Sequence, residues 1–253
     1  APVLGGGILQ VVDWRGIFWV IAAMVVVMIL GIVFVTGESL PPAQRHAGGL
    51  RKVVANTGVV LRNRTYVSAA LVLTFAFTTL FAYVSASPFV VQNVLGLSTL
   101  AYSLIFGVNA LGITAASVLA IMLAGRVPVH HTLGAGLGGL VLASVFLLIV
   151  VFAGAPAAPM LIGMFCATFS IGLIMGNASS IAMRAVAATA GTGSAYMGAV
   201  QFLLAASVSP LVGIAGESDA RPMAITMVTC AVIAGTAYLA LVRSLGGSSH
   251  ETA

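Results

Sequence analysis

The sequence predicts an all-α polytopic membrane protein, and three observations predict it. Charged residues make up only 6% of the 253-residue chain, against about 25% in soluble domains, too few to cover a globule's surface in water. Hydrophobic residues reach 60%, with a mean hydropathy of +1.17. The apolar stretches are continuous and about twenty residues long, the length an α-helix needs to cross hydrocarbon. A membrane barrel would instead alternate apolar and polar residues over strands of about ten. Helices and closed barrels are the only spanning structures that satisfy their own backbone hydrogen bonds in lipid.

The chain opens on APVLGGGILQ, with Pro2, three consecutive glycines and no initiator methionine. A secretory signal would begin with a basic stretch followed by an apolar run. Residues 1–11 read instead as the end of a helix that starts further upstream. Complete crossings follow at 17–36, 67–92, 101–124, 133–153, 158–179, 193–214 and 222–242. The expectation is therefore seven full transmembrane helices plus the end of an eighth. Most connections are short, but 37–66 is long, polar and basic, with Arg45, Arg51, Lys52, Arg62 and Arg64. It reads as a linker between two bundles, its LRKVVANTGVVLRN segment forming an amphipathic surface helix. The domains so defined are 1–36, the 37–66 linker, a six-helix bundle over 67–242 and a tail at 243–253.

Charge orients these spans. If the linker is cytoplasmic, Arg126, Arg184 and Arg243 fall on the same side. Eight of the ten basic residues are then inside, and only Arg15 and Arg221 lie outside. The positive-inside rule is obeyed in that orientation alone, and the C-terminus is cytoplasmic. A net charge of +5 distributed in this way is not a nucleic-acid signal.

No Asp, Glu, Lys or Arg lies within a predicted span. A charge at a helix centre costs about 2.5–3.5 kcal/mol on insertion scales, so one is kept only for a purpose. The absence argues against a proton relay, a voltage sensor, a charged ion filter or an intramembrane enzyme within this segment. No cofactor is expected. His130 and His131 are adjacent, lack an acidic neighbour and do not share a helix face, so no metal site is expected either. Cys166 and Cys230 lie in separate apolar runs and read as small buried hydrophobes.

The spans do carry uncharged polar groups at helical spacing. Tyr83 and Ser87 are one turn apart, followed by Pro88, which frees a backbone carbonyl. Tyr102 and Asn109 are two turns apart on one face, as are Ser170 and Asn177, and Ser194, Met197 and Gln201 share another. A buried amide must be hydrogen-bonded, so these faces turn toward other helices or a wet cavity. The hydroxyls read first as helix–helix contacts; Asn109 and Gln201 fit a cavity wall equally well. AGTGSAYMG lacks the strand and the Lys of a phosphate loop, so its glycines read as helix packing.

Two six-helix bundles joined by a basic linker resemble the plan of the major facilitator superfamily. APVLGGGIL at 1–9 resembles the end of the fifth-helix Gly-Pro-x-x-Gly-Gly motif of proton-driven exporters, with Ala1 in place of the glycine before Pro2 and with Gly5 and Gly6 retained. DWRGIFW at 13–19 resembles the usual start of the sixth helix. FAYVSASPFVVQNVLGLSTLAYSLIFGVNALG at 81–112 and AGTGSAYMGAVQF at 190–202 resemble helices seven, eight and eleven of the Bcr/CflA drug exporters. GRVPVHHT matches the superfamily's basic inter-helix loop only at Arg126.

The resemblance implies a proton-coupled multidrug antiporter of the bacterial inner membrane, working by alternating access. Helices one to four and the rest of the N-terminal bundle would lie outside this sequence. Its partners would be the lipid bilayer, a small hydrophobic drug-like substrate, protons and that N-terminal bundle. The proton-carrying carboxylate would come from the absent part. Tyr83, Ser87, Asn109, Ser170 and Gln201 would wall the pocket, with Phe106 as apolar lining, and Pro2, Gly5, Gly6 and Arg126 would serve gating. Two other readings stay open: an exporter of a sugar, amino acid or secondary metabolite, and a truncated membrane remnant without transport.

Overall fold

The computed structural model describes residues 13–35, 50–214, 216 and 218–248. The predicted remnant at 1–11, with Pro2, Gly5 and Gly6, lies outside these residues, as do residues 37–49 of the predicted 37–66 linker and residues 249–253 of the predicted tail. Seven helices among the described residues are long and apolar enough to cross a membrane. The chain divides into two units, residues 1–52 and 53–253.

In the first unit, helix α1 spans Trp14–Val35. It is apolar all round, as a helix surrounded by hydrocarbon is. Its charge is confined to the start, where Arg15 pairs with Asp13 at 3.2 Å.

Helix α2 (Leu50–Arg62) leads into the second unit. It is the amphipathic segment expected from the linker, and Val60 on its apolar side is fully buried. Six long helices follow: α3 (Arg64–Phe89), α4 (Thr99–Leu123), α5 (Val129–Phe152), α6 (Ala157–Ala185), α7 (Ala190–Val212) and α8 (Arg221–Ser248). They reproduce the expected crossings, with α3 starting three residues before the predicted 67 and α6 running six past 179. The extra turns carry Arg64, Thr65, Ser180 and Arg184, because helical hydrogen bonding continues beyond the apolar slab that hydropathy reports.

Capping sets the helix ends. Asn63 is the N-cap of α3, accepting from the Tyr66 amide at 2.9 Å. Its own Nδ2 donates to the Ala185 carbonyl at 2.9 Å, tying the start of α3 to the end of α6. At the other end Pro88 removes a donor and the helix widens into a π-helical turn, Val90–Val94. The Leu95 amide there bonds the Val90 carbonyl at 3.0 Å. Gly96, at φ +66°, then reverses the chain in a conformation that other residues rarely adopt.

Helix α3 is the central element, packed on α6, α7 and α8, while α6 also packs on α4 and α5, and α5 on α8. The core is built from Leu73, Leu137, Leu140, Met164, Ile171 and Met227, all at most 3% exposed. Small residues allow the closest approaches, as in membrane bundles generally. A Cβ on Gly172 would collide with the Ile113 carbonyl and sit 2.7 Å from the Ala116 methyl, so α4 and α6 touch backbone to backbone there. Ser117 Oγ uses that proximity to reach the Gly172 carbonyl at 3.2 Å.

One end of the bundle is basic. Tyr66 Oη donates to the Gly193 carbonyl at 2.6 Å, Tyr238 Oη to the His130 carbonyl at 2.8 Å, and Thr65 and Ser244 meet at 3.3 Å. Together with the Asn63–Ala185 bond, these contacts gather the starts of α3, α5 and α7 with the ends of α6 and α8, and so Arg62, Arg64, Arg126, Arg184 and Arg243. Arg221 lies at the opposite end, 5.4 Å above the Phe152 ring.

Candidate functional site

Between α3, α4 and α6 the bundle buries a short polar chain. Tyr83 from α3 and Asn109 from α4 are each 2% exposed, and Thr168 from α6 is fully buried. Asn109 Nδ2 donates to Tyr83 Oη at 2.8 Å. Thr168 Oγ1 lies 3.3 Å from Asn109 Oδ1, and 3.0 Å from each of the Met164 and Phe165 carbonyls of its own helix. One amide thereby links three helices. Ala82 and Ala86 flank Tyr83 on α3 and leave its ring room to lie inward.

An aromatic wall covers this chain. Phe106, one turn before Asn109, stacks on Tyr83 with centroids 6.1 Å apart and planes 16° off parallel. Tyr102 packs against Phe106 at 5.9 Å and 57°. Residues 102, 106 and 109 fall on one face of α4 at helical spacing. Ser87, a turn beyond Tyr83, is 1% exposed, with its Oγ turned toward the Tyr83 hydroxyl. Beside Asn109 a groove of about 330 Å³ runs between α4 and α6, floored by Leu104, Val108, Ile162 and Phe165.

The structure thus brings together Tyr83, Asn109 and Phe106 of the sequence-predicted set, with Ser87 at their edge. Ser170 lies elsewhere. Its Oγ donates to the Cys166 carbonyl at 2.8 Å and faces Gly139, in the seam between α5 and α6. Gln201 is half-buried on α7 and makes no hydrogen bond among the described residues. Its neighbour Phe202 packs edge-on against Phe77 at 5.3 Å. Arg126 is exposed in the tight turn between α4 and α5.

Thr168 was not singled out by sequence reasoning. The signal available was its spacing: Thr168 precedes Gly172 by four residues, which puts both on the face that meets α4.

The site is uncharged. One amide and two hydroxyls satisfy one another beneath an aromatic ring, a chemistry that suits apolar or weakly cationic molecules. Among the described residues no three His, Cys, Asp or Glu side chains converge on a metal-sized site. His130 and His131 stand ring to ring at 4.2 Å at the start of α5.

Comparison with known proteins places this architecture. Residues 1–210 match the family model of the Major Facilitator Superfamily. The chain is 32% identical to the MFS-type transporter YdgK of Bacillus subtilis, over 98% of this chain and 62% of the relative. It is 26% identical to a bicyclomycin resistance protein homolog of Haemophilus influenzae, over 94% of this chain and 60% of that protein. It is likewise 26% identical to the multidrug transporter MdfA of Edwardsiella piscicida, over 80% of this chain and 50% of that transporter. The chain therefore spans half to three-fifths of the length of these relatives. With seven apolar helices and a family match over most of its length, the chain is a multi-pass membrane protein that belongs to the major facilitator superfamily.

Proposed function

We propose that this protein is part of a secondary active drug exporter, with the α3–α8 bundle supplying one wall of the substrate cavity. The buried Tyr83–Asn109–Thr168 chain under the Phe106 ring carries the reading. It is a polar, uncharged, aromatic-lined patch, and Asn109 is the one amide side chain buried among the described residues. The names of the bicyclomycin-resistance and multidrug relatives support the same substrate class. In this reading Tyr83, Ser87, Asn109 and Phe106 contact substrate. Ser170 and Gln201 border the cavity in other conformations of the transport cycle.

Coupling is to protons. Helices α3–α8 hold no Asp or Glu within their apolar spans, so the acid that carries the proton stands outside this bundle. The basic end faces the cytoplasm of a bacterial inner membrane, which puts the linker and the C-terminus on that side.

The test is expression of the native gene in a host stripped of its own efflux pumps, with resistance scored across a drug panel that includes bicyclomycin. The reading expects raised resistance to a subset of drugs and lower accumulation of a fluorescent lipophilic cation. A protonophore should abolish both. Unchanged resistance and accumulation, with the protein present in the membrane, would refute drug export. Resistance that survives the protonophore would refute proton coupling alone.

A further inference from the structure

The basic end of the bundle carries a feature unrelated to the Tyr83–Asn109 patch. A cleft of about 390 Å³ lies between the start of α3 and the last turns of α8. Arg64 and Arg243 line it from either side, with Ser68 and Ser244 between them. Leu61 and Val67 form its apolar floor. Both arginines are exposed, and neither has a carboxylate partner among the described residues. Ser244 is held in place by Thr65 at 3.3 Å and by the Leu241 carbonyl at 2.8 Å.

This pairing needs an explanation. Two guanidinium groups facing one small cleft repel each other, and no acidic group of the described residues balances them. Guanidinium is the side chain best matched to phosphate, through paired N–H donors. The position specifies which phosphate. Each arginine stands at the end of a membrane-spanning helix, Arg64 at the first residue of α3 and Arg243 in the last turns of α8. That is the depth of the lipid headgroups. Below it α8 exposes Leu239 and Val242, at 59% and 39%, a surface suited to an acyl chain.

We propose that Arg64 and Arg243 form a binding site for the phosphate of an anionic glycerophospholipid, whose acyl chain lies against α8. Ser68 and Ser244 supply further donors to the headgroup. The site rests on the chain's crossing of a bilayer and not on what it transports.

The experiment is lipid retention by the full chain in detergent, read by native mass spectrometry while phosphatidylglycerol or phosphatidylcholine is titrated in. The proposal expects phosphatidylglycerol to be retained in preference. Each of Arg64→Gln and Arg243→Gln should weaken that retention about fivefold, from the roughly 1 kcal/mol that a basic side chain contributes near an anionic surface. Arg64→Lys and Arg243→Lys should keep most of it. Arg184→Gln, on the same end but outside the cleft, should leave it unchanged. Equal retention of both lipids by the wild type, or wild-type retention by both Gln variants, would overturn the site. So would an equal loss in Arg184→Gln. Displacement of the lipid by millimolar glycerol phosphate would show that the cleft takes a soluble anion, and would overturn the assignment to lipid. Thermal unfolding of each variant, run alongside, separates loss of binding from loss of fold.

Discussion

Replacing Tyr83 by Phe removes one hydroxyl and leaves the ring, and with it the stack on Phe106, in place. What is lost is the acceptor of the 2.8 Å bond from Asn109 Nδ2. Both side chains are 2% exposed, so water cannot replace it. A buried donor left without a partner costs about 1–3 kcal/mol in soluble proteins. Interhelical hydrogen bonds in bilayers average about 0.6 kcal/mol and reach about 1.7. Thr168→Val is a milder change. Its hydroxyl is 3.3 Å from Asn109 Oδ1 but 3.0 Å from two carbonyls of its own helix, so its bond to Asn109 is the weaker of the two. We expect Tyr83→Phe to cost between those bilayer values and Thr168→Val to cost less. In a bundle of this size that lowers the unfolding midpoint by about 1–7 °C for Tyr83→Phe. The assay is thermal unfolding in detergent, followed by a double-mutant cycle of Tyr83→Phe with Asn109→Ala, which cancels the packing lost with the amide. A coupling energy indistinguishable from zero would refute the bond. A larger cost for Thr168→Val than for Tyr83→Phe would refute the ranking.

Three further outcomes follow from the same structure. Gly172→Ala should destabilise by about 1–3 kcal/mol, since the new methyl meets the Ile113 backbone, which cannot swing aside; an unaltered midpoint would show that α4 and α6 do not approach so closely. Asn63→Ala should lose both the α3 cap and the bond to the Ala185 carbonyl, about 1–3 kcal/mol together, whereas Asn63→Asp keeps the cap and should recover part of the loss; equal midpoints for the two variants would count against the two-bond account. Asn109→Ala and Gln201→Ala in the native gene should each shift drug preference while the protein still inserts, and unchanged resistance profiles for both would remove them from the cavity wall.

Hydropathy and charge made the six helices of the second unit legible, because lipid leaves a spanning chain almost no other choice. The amphipathic pattern of residues 50–62 likewise announced α2. Helical spacing singled out Tyr83 and Asn109 separately, but it did not reveal their bond, which depends on how α3 and α4 are placed against α6. The same limit applies to Ser170. It occupies a polar face of α6, yet that face meets Gly139 of α5, while Thr168, two residues earlier, meets Asn109. Two residues along a helix turn a side chain through about 200°, so a polar stripe does not name the neighbour it touches. Pro88 signalled a disturbed helix end without indicating that the disturbance takes the form of a π-helical turn. That choice is made by local backbone bonding at Val90 and Val91.

The neutrality of the bundle's interior has an electrical consequence. Moving one elementary charge through 100 mV involves about 2.3 kcal/mol. From Thr65 to Val94, and again along α4, α5 and α7, no described side chain carries Asp, Glu, Lys or Arg; the arginines of α3, α6 and α8 stay near the helix termini. The transmembrane voltage can therefore do little work on these helices. In the proposed export cycle, any charge that responds to voltage is then carried elsewhere, by the substrate or by other helices.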